Sequence, residues 1–321
     1  MSSPSLNLKT AWQLFKETAA QWSDDKASRL AAALSYYTIF SIAPLLIIAI
    51  GVAGLVFGQE AASNQIFQEI RGLVGDQGAK AIQTMVESAN RKDGGIVATL
   101  VGIVTLLIGA SGAFGELQDA LNTIWGVQLK PGHGIKAFFR RRFLSFSMVL
   151  VIGFMLLVTL VVSTIMSGLG HYLELVLPIP ASVLQVLNFL LSFSVTGLLF
   201  TLIYKVLPDV TVKWKDVWIG GIFTAFLFSL GRFLMGLYLG RASVSSAYGA
   251  AGSLVIILLW IYYSSQILFF GAEFTKVFAD KFGSQIRPSP DAELVTAEAK
   301  AKQGMPDSGP SPAMPKVGAG L

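Results

Sequence analysis

Glu116 and Asp119 stand three residues apart, with Asn122 one turn further on. On a helix that spacing puts both carboxylates on one face, where a pair can exchange a proton or hold an ion. More often such a pair is simply solvated at a wet helix end. A second set is Tyr262, Tyr263, Ser264, Ser265 and Gln266, in the middle of the uncharged run Ala251 to Phe270. A third is Ser35, Tyr36, Tyr37 and Ser41, in the turns before Pro44. Arg232 lies inside another apolar run, and Tyr248 and Glu273 flank the run that ends at Phe270. Hydrocarbon offers hydroxyls, amides and a guanidinium no partner, so at membrane depth these groups face other helices or water. The chemistry they could do is passage. The expected polar path comprises Ser35, Tyr36, Tyr37, Ser41, Pro44, Arg232, Tyr248, Tyr262, Tyr263, Ser265 and Gln266, with Glu116, Asp119 and Glu273 handling protons or ions.

Each assignment has a plainer rival. Serines and tyrosines also bond neighbouring helices together. Arg232 is about two turns from the outer end of its run, close enough to snorkel to headgroups. The chain has no cysteine, which excludes disulfides, thiolate metal sites and cysteine nucleophiles. His133 and His171 read as loop residues on opposite sides of the membrane, so they share no metal. No GxxxxGK[ST] loop occurs, so the chain by itself is not expected to use ATP. No catalytic residue, metal site or cofactor is expected.

The elements that position these groups follow from composition. Only 13% of the 321 residues are charged and 53% are hydrophobic, against roughly 25% charged in a soluble domain. A run of twenty apolar residues makes a helix about 30 Å long, enough to span hydrocarbon. Six such spans are read, near Leu30–Phe57, Gly94–Leu117, Phe143–Met166, Val183–Val206, Val217–Leu239 and Ala251–Phe270. The fold expected is therefore an all-α polytopic membrane protein with amphipathic interfacial helices. Residues 1–29 hold an amphipathic helix, with Leu8, Ala11, Trp12, Phe15, Ala19 and Trp22 on one stripe, and Ser23 reads as the cap of the next helix. Pro44 removes a backbone donor and predicts a kink in the first span.

Residues 30–283 form the six-helix membrane domain. Its outer insertion at 59–93 reads as two short amphipathic helices separated by Gly72, Gly75 and Gly78. Glycines crowding residues 109–115, and the Gly236/Gly240 pair, predict close helix crossings. Residues 284–321, rich in proline, glycine and alanine, read as a disordered cytoplasmic tail. With the N-terminus inside, fifteen lysines and arginines fall in inner segments and five in outer ones, so both termini are expected in the cytoplasm. That placement explains the net charge of +5 without nucleic acid.

Three stretches carry a family likeness: AAALSYYTIFSIAPLL at 31–46, GAFGELQDALNTIWGV at 112–127, and YGAAGSLVIILLWIYYSSQILFFGAEF at 248–274. With the six-span layout they resemble the YihY/virulence factor BrkB family of bacterial inner-membrane proteins, over roughly residues 10–283. An older label for that family, ribonuclease BN, is regarded as mistaken, and the family supplies no agreed catalytic residues. The resemblance implies an inner-membrane location and an envelope role, lipid transport among those proposed. Three functions are weighed. The first is a translocator of a lipid or other amphiphile, with membrane lipids as partners. The second is a scaffold whose partners are envelope proteins or a second copy of the chain. The third, and weakest, is the old ribonuclease, whose carboxylates here are scattered over several segments.

Overall fold

The computed structural model describes residues 7–89, 112–130, 181–241, 252–284 and 286–296. Most of the second expected span, the third span, His133, His171, Tyr248 and the tail beyond 296 lie outside the described residues. The described helices are α1 (Leu8–Asp24), α2 (Ala27–Phe57), α3 (Gln59–Ala89), α4 (residues 112–124), α5 (Ala181–Val206), α6 (Trp214–Arg241) and α7 (Gly252–Phe282). Four of them are long and apolar enough to cross a membrane: α2, α5, α6 and α7. The described chain is an all-α membrane protein with four very short strands.

α1 is the amphipathic helix read from the sequence. Its buried residue Leu14 packs on Val277 and Phe278 of α7, while Trp12 and Phe15 from the apolar stripe stay exposed. The turn into α2 differs from expectation. Ser23 lies inside α1 and caps nothing; the break comes at Asp25 and Lys26, and Lys26 adopts a left-handed backbone with φ 52°. The reversal directs the side chain of Asp25 into the protein. α2 then runs through Pro44 as one helix.

The insertion after α2 is two helical pieces that meet at Gly75, whose φ of 75° and ψ of 176° interrupt the helical geometry of α3. The stripe read from the sequence faces inward. Val74, Ile82 and Val86 pack against Ile39 and Ala43 of α2 and Ile257 and Ile261 of α7. No side chain tolerates the Gly75 conformation easily, although nothing lies within 4 Å of a Cβ built there. Gly75→Ala should therefore cost about 1–3 kcal/mol. Gly72→Ala, at a helical and exposed position, should be neutral or stabilising by up to about 1 kcal/mol. Denaturant unfolding of the purified protein in detergent checks both values.

The core lies where α2, α4, α5, α6 and α7 meet, around Leu121, Tyr204, Val217 and Phe269. The close crossings are made by glycines opposite threonines. Gly220 lies against Thr275, Gly221 against Thr201, and Gly271 against Thr224. The Tyr204 hydroxyl completes the junction, 3.0 Å from Thr224 Oγ1 and donating to the Leu268 carbonyl at 2.7 Å. At the start of α4 the expected crowding is absent: a Cβ at Gly112 would sit in ordinary contact 3.5 Å from the Tyr37 ring, and nothing lies within 4 Å of one at Gly115.

Residues 286–296, read as the start of a disordered tail, are ordered. β3 (Arg287–Pro288) pairs antiparallel with β2 (Val210–Thr211), and β4 (Ala292–Leu294) pairs with β1 (Val127–Leu129). Lys130 Nζ donates to the Pro290 carbonyl at 2.8 Å. Composition suggested disorder because eleven residues with two prolines bury little, but this segment draws its hydrogen bonds from two loops far away in sequence.

Candidate functional site

The Asp25–Lys26 turn brings α1 and α2 against the last third of α7. Lys276 Nζ lies 3.3 Å from Asp25 Oδ2 and 3.7 Å from Glu273 Oε2. Asp25 is buried and Glu273 is 0% exposed. One ammonium, its side chain 16% exposed, therefore serves two buried carboxylates, with Asp280, a turn beyond Lys276, acting on it as well. Lys276 is within hydrogen-bonding distance of Asp25, whereas neither oxygen of Glu273 has a hydrogen-bond partner among the described residues. The N-terminus of α2 beside Asp25 favours negative charge there.

The other two buried aspartates at this end are well supplied. Asp209 Oδ2 accepts from Asn122 Nδ2 at 2.9 Å and Gln118 Nε2 at 3.2 Å, and the Asp209 backbone N–H donates to Asn122 Oδ1. Asp216 Oδ2 accepts from the backbone N–H of Ser284 at 3.0 Å and its hydroxyl at 2.7 Å. These two aspartates are structural ties. Asp209→Ala orphans two buried amides and should lower stability by about 2–4 kcal/mol, at roughly 1–3 kcal/mol per unpaired donor. Thermal unfolding in detergent reads that loss directly.

Glu273 is part of a longer polar stripe. Tyr262, Gln266, Phe269, Glu273, Lys276 and Asp280 follow one another at alternating steps of four and three, which is one face of α7. Gln266 Oε1 is buried without a hydrogen-bond partner. Phe269, between Gln266 and Glu273 in the order along this face, is at 0% exposure in the core. The stripe thus runs from the middle of the apolar run to the charged cluster and includes one buried phenyl ring.

The sequence-predicted residues do not form one surface. Ser35 and Ser41 are on the buried side of α2, and the Ser35 hydroxyl donates to its own helix at Ala31. Tyr36 and Tyr37 lie on the exposed side, where Tyr36 stacks edge-on with Tyr37 and Phe40. Pro44 is half-buried. On α7, Ser265 donates to the Ile261 carbonyl, Tyr262 packs on the core, and Tyr263 rests against Gly231 of α6. Arg232 is exposed on α6 beside Phe233. Glu116 is half-buried and Asp119 exposed on α4, while Gln118 and Asn122 face inward. Of the three carboxylates singled out, Glu273 is the one deeply buried.

Sequence reasoning passed over Asp25 and Asp280 as site residues and counted Lys276 only toward topology. The i, i+3, i+7 spacing of Glu273, Lys276 and Asp280 was available as a signal. The partnership with Asp25 was not, because 251 residues separate it from Lys276.

Aromatic side chains mark the depth of the cluster. Trp214 and Trp218 are exposed in the first two turns of α6, and exposed Ile222 and Phe226 continue their row at steps of four. Trp12, with Lys16 Nζ 5.6 Å from its ring, is exposed on α1. Tryptophans of this kind settle at the headgroup level, with an apolar row beyond them facing lipid. The charged cluster lies at the same end of the bundle.

The model of the family described as virulence factor BrkB matches residues 18–295, so it includes the ordered segment with β3 and β4. A UPF0761 membrane protein of Pseudomonas aeruginosa (strain LESB58) is 33% identical over 260 residues, covering 79% of this chain and 60% of its own. One of Teredinibacter turnerae (strain ATCC 39867 / T7901) is 26% identical over 294 residues, covering 88% and 64%. One of Verminephrobacter eiseniae (strain EF01-2) is 30% identical over 273 residues, covering 83% and 61%. The chain therefore spans about three fifths of the length of these relatives. No solved structure matches.

Proposed function

This chain belongs to the virulence factor BrkB family of membrane proteins, and on that footing we propose that it is a six-span inner-membrane translocator of a lipid or other amphiphilic envelope substrate. The observation that carries the reading is the polar stripe of α7, in which a buried amide oxygen has no hydrogen-bond partner among the described residues and a fully buried carboxylate comes no nearer than 3.7 Å to the lysine ammonium beside it. Groups left unpaired at that depth are expensive unless they meet a hydrated or polar cargo. The exposed tryptophans and the exposed lysines of α1 and the α5–α6 loop support this reading, since such residues suit a surface of anionic headgroups next to the charged end. Phe269 on the same face is fully buried in the core, so on this reading passage requires its ring to turn aside.

The reading is tested with purified protein in liposomes that carry a fluorescent anionic lipid, using a quencher confined to the outside. Protein should speed transbilayer exchange well above protein-free liposomes, and Gln266→Leu should slow it by about tenfold, the equivalent of 1.4 kcal/mol in the barrier. Exchange no faster than in protein-free liposomes would overturn the proposal.

A further inference from the structure

We infer that Asp25 and Glu273 share one proton, and that this pair is the coupling site of the bundle. The cluster holds two buried carboxylates and one ammonium whose side chain keeps 16% of its exposure. Fully ionised, it would set two carboxylates against one ammonium, with only the partial charge of the α2 N-terminus to offset the excess, and burying an unbalanced charge is heavily penalised. Both carboxylates lie within 4 Å of the same Lys276 nitrogen, so the two are close neighbours. Two carboxylates both accept and neither donates, so they can bond to each other only when one of them holds a proton. The same sharing occurs wherever two carboxyl groups are forced together. Among the described residues, the charged groups that act on Glu273 are Asp25 from the α1–α2 turn and Lys276 from its own helix, and Asp280 acts on Lys276. The proton is thus the species that completes the cluster.

Its consequence is mechanical. With the proton on, Asp25 and Glu273 are hydrogen-bonded, Lys276 balances the single remaining charge, and the α1–α2 turn is fastened to α7. With the proton off, two charged carboxylates compete for one ammonium, and the turn at Lys26 is released from the helix that carries Phe269 and Gln266. One proton arrives and one leaves, with no other chemistry. The coupling role rests on the translocator reading, but the proton site does not, so liposomes that move no lipid leave the site itself standing.

The test is infrared difference spectroscopy of the full chain in lipid nanodiscs at neutral pH. Exposed carboxyl groups are ionised there, so a carboxylic-acid C=O stretch marks a held proton. The wild type should show that band. Glu273→Gln should lose it, since the pair is broken, and Glu69→Gln, at an exposed position, should keep it. Asp25→Asn should lose it as well, because one carboxylate is then matched by one ammonium. That variant decides the question if Glu273→Gln does not fold. A wild type with no such band, or a band that survives in the variants of both Asp25 and Glu273, would overturn the inference.

Discussion

Gly271→Val should yield almost no folded protein. A Cβ at Gly271 would overlap Thr224 Oγ1 and lie 2.6 Å from the Tyr204 hydroxyl, and valine adds two more carbons. Those neighbours cannot swing away, because Tyr204 and Thr224 are fully buried and bonded to each other and to the Leu268 carbonyl. Overpacking alone costs about 1–3 kcal/mol, and each buried hydrogen bond broken with a partner left behind adds about 1–3 kcal/mol. The sum rivals the ~5–15 kcal/mol by which a folded protein is stable. Gly51→Ala is the control, since nothing lies within 4 Å of its Cβ. Size-exclusion chromatography in mild detergent should show the Gly51 variant as a single peak and the Gly271 variant as aggregate. Pairing Gly271→Ala with Thr224→Gly should recover part of the peak, because the second change removes the atom that the first would hit.

The second large effect is at the charged cluster. Lys276→Met keeps the volume and removes the ammonium, leaving two buried carboxylates with no counter-charge. Removing one partner of a buried ion pair commonly costs about 3–5 kcal/mol, most of it the penalty of the charge left behind. Adding Asp25→Asn to Lys276→Met should then restore about 2 kcal/mol or more, because the remaining Glu273 can be neutral with its proton. Unfolding curves for the two single variants and the double variant form a cycle that isolates this coupling. A Lys276→Met protein within about 0.5 kcal/mol of wild type would mean the cluster is solvated after all.

The helical architecture was legible because spans advertise themselves as long apolar runs: α2 and α7 coincide with two of them. Their ends were less clear. α7 continues to Phe282, past the Phe270 at which its apolar run stops, because its last three turns are amphipathic and held by α1. The close crossings were legible in kind only. The surroundings of Gly109, Gly236 and Gly240 lie outside what is described, and the tight approaches described on α6 and α7 fall at Gly220, Gly221, Gly231 and Gly271. What decides a crossing is the residue opposite on another helix, and a single strand of sequence does not contain that. The same limit hid β1 to β4, which are two or three residues long and pair across 76 to 167 positions. It also hid Asp25, whose local surroundings look like an ordinary helix end. Glu273 was found because a carboxylate following an apolar run is visible in one dimension.

The polar stripe of α7 as a hydrated route is the claim on which the functional account depends, and the chain is well suited to testing it. It contains no cysteine, so one introduced thiol is the only thiol. Gln266→Cys and Phe226→Cys, reconstituted in liposomes, are compared for their rate of reaction with a charged reagent that stays in water. A wet stripe predicts modification of the Gln266 position at least about tenfold faster than the lipid-facing Phe226 position, since a thiol reacts as its solvated anion. Equal and negligible rates at both would contradict the account and leave Tyr262, Gln266 and Glu273 as packing within a closed bundle.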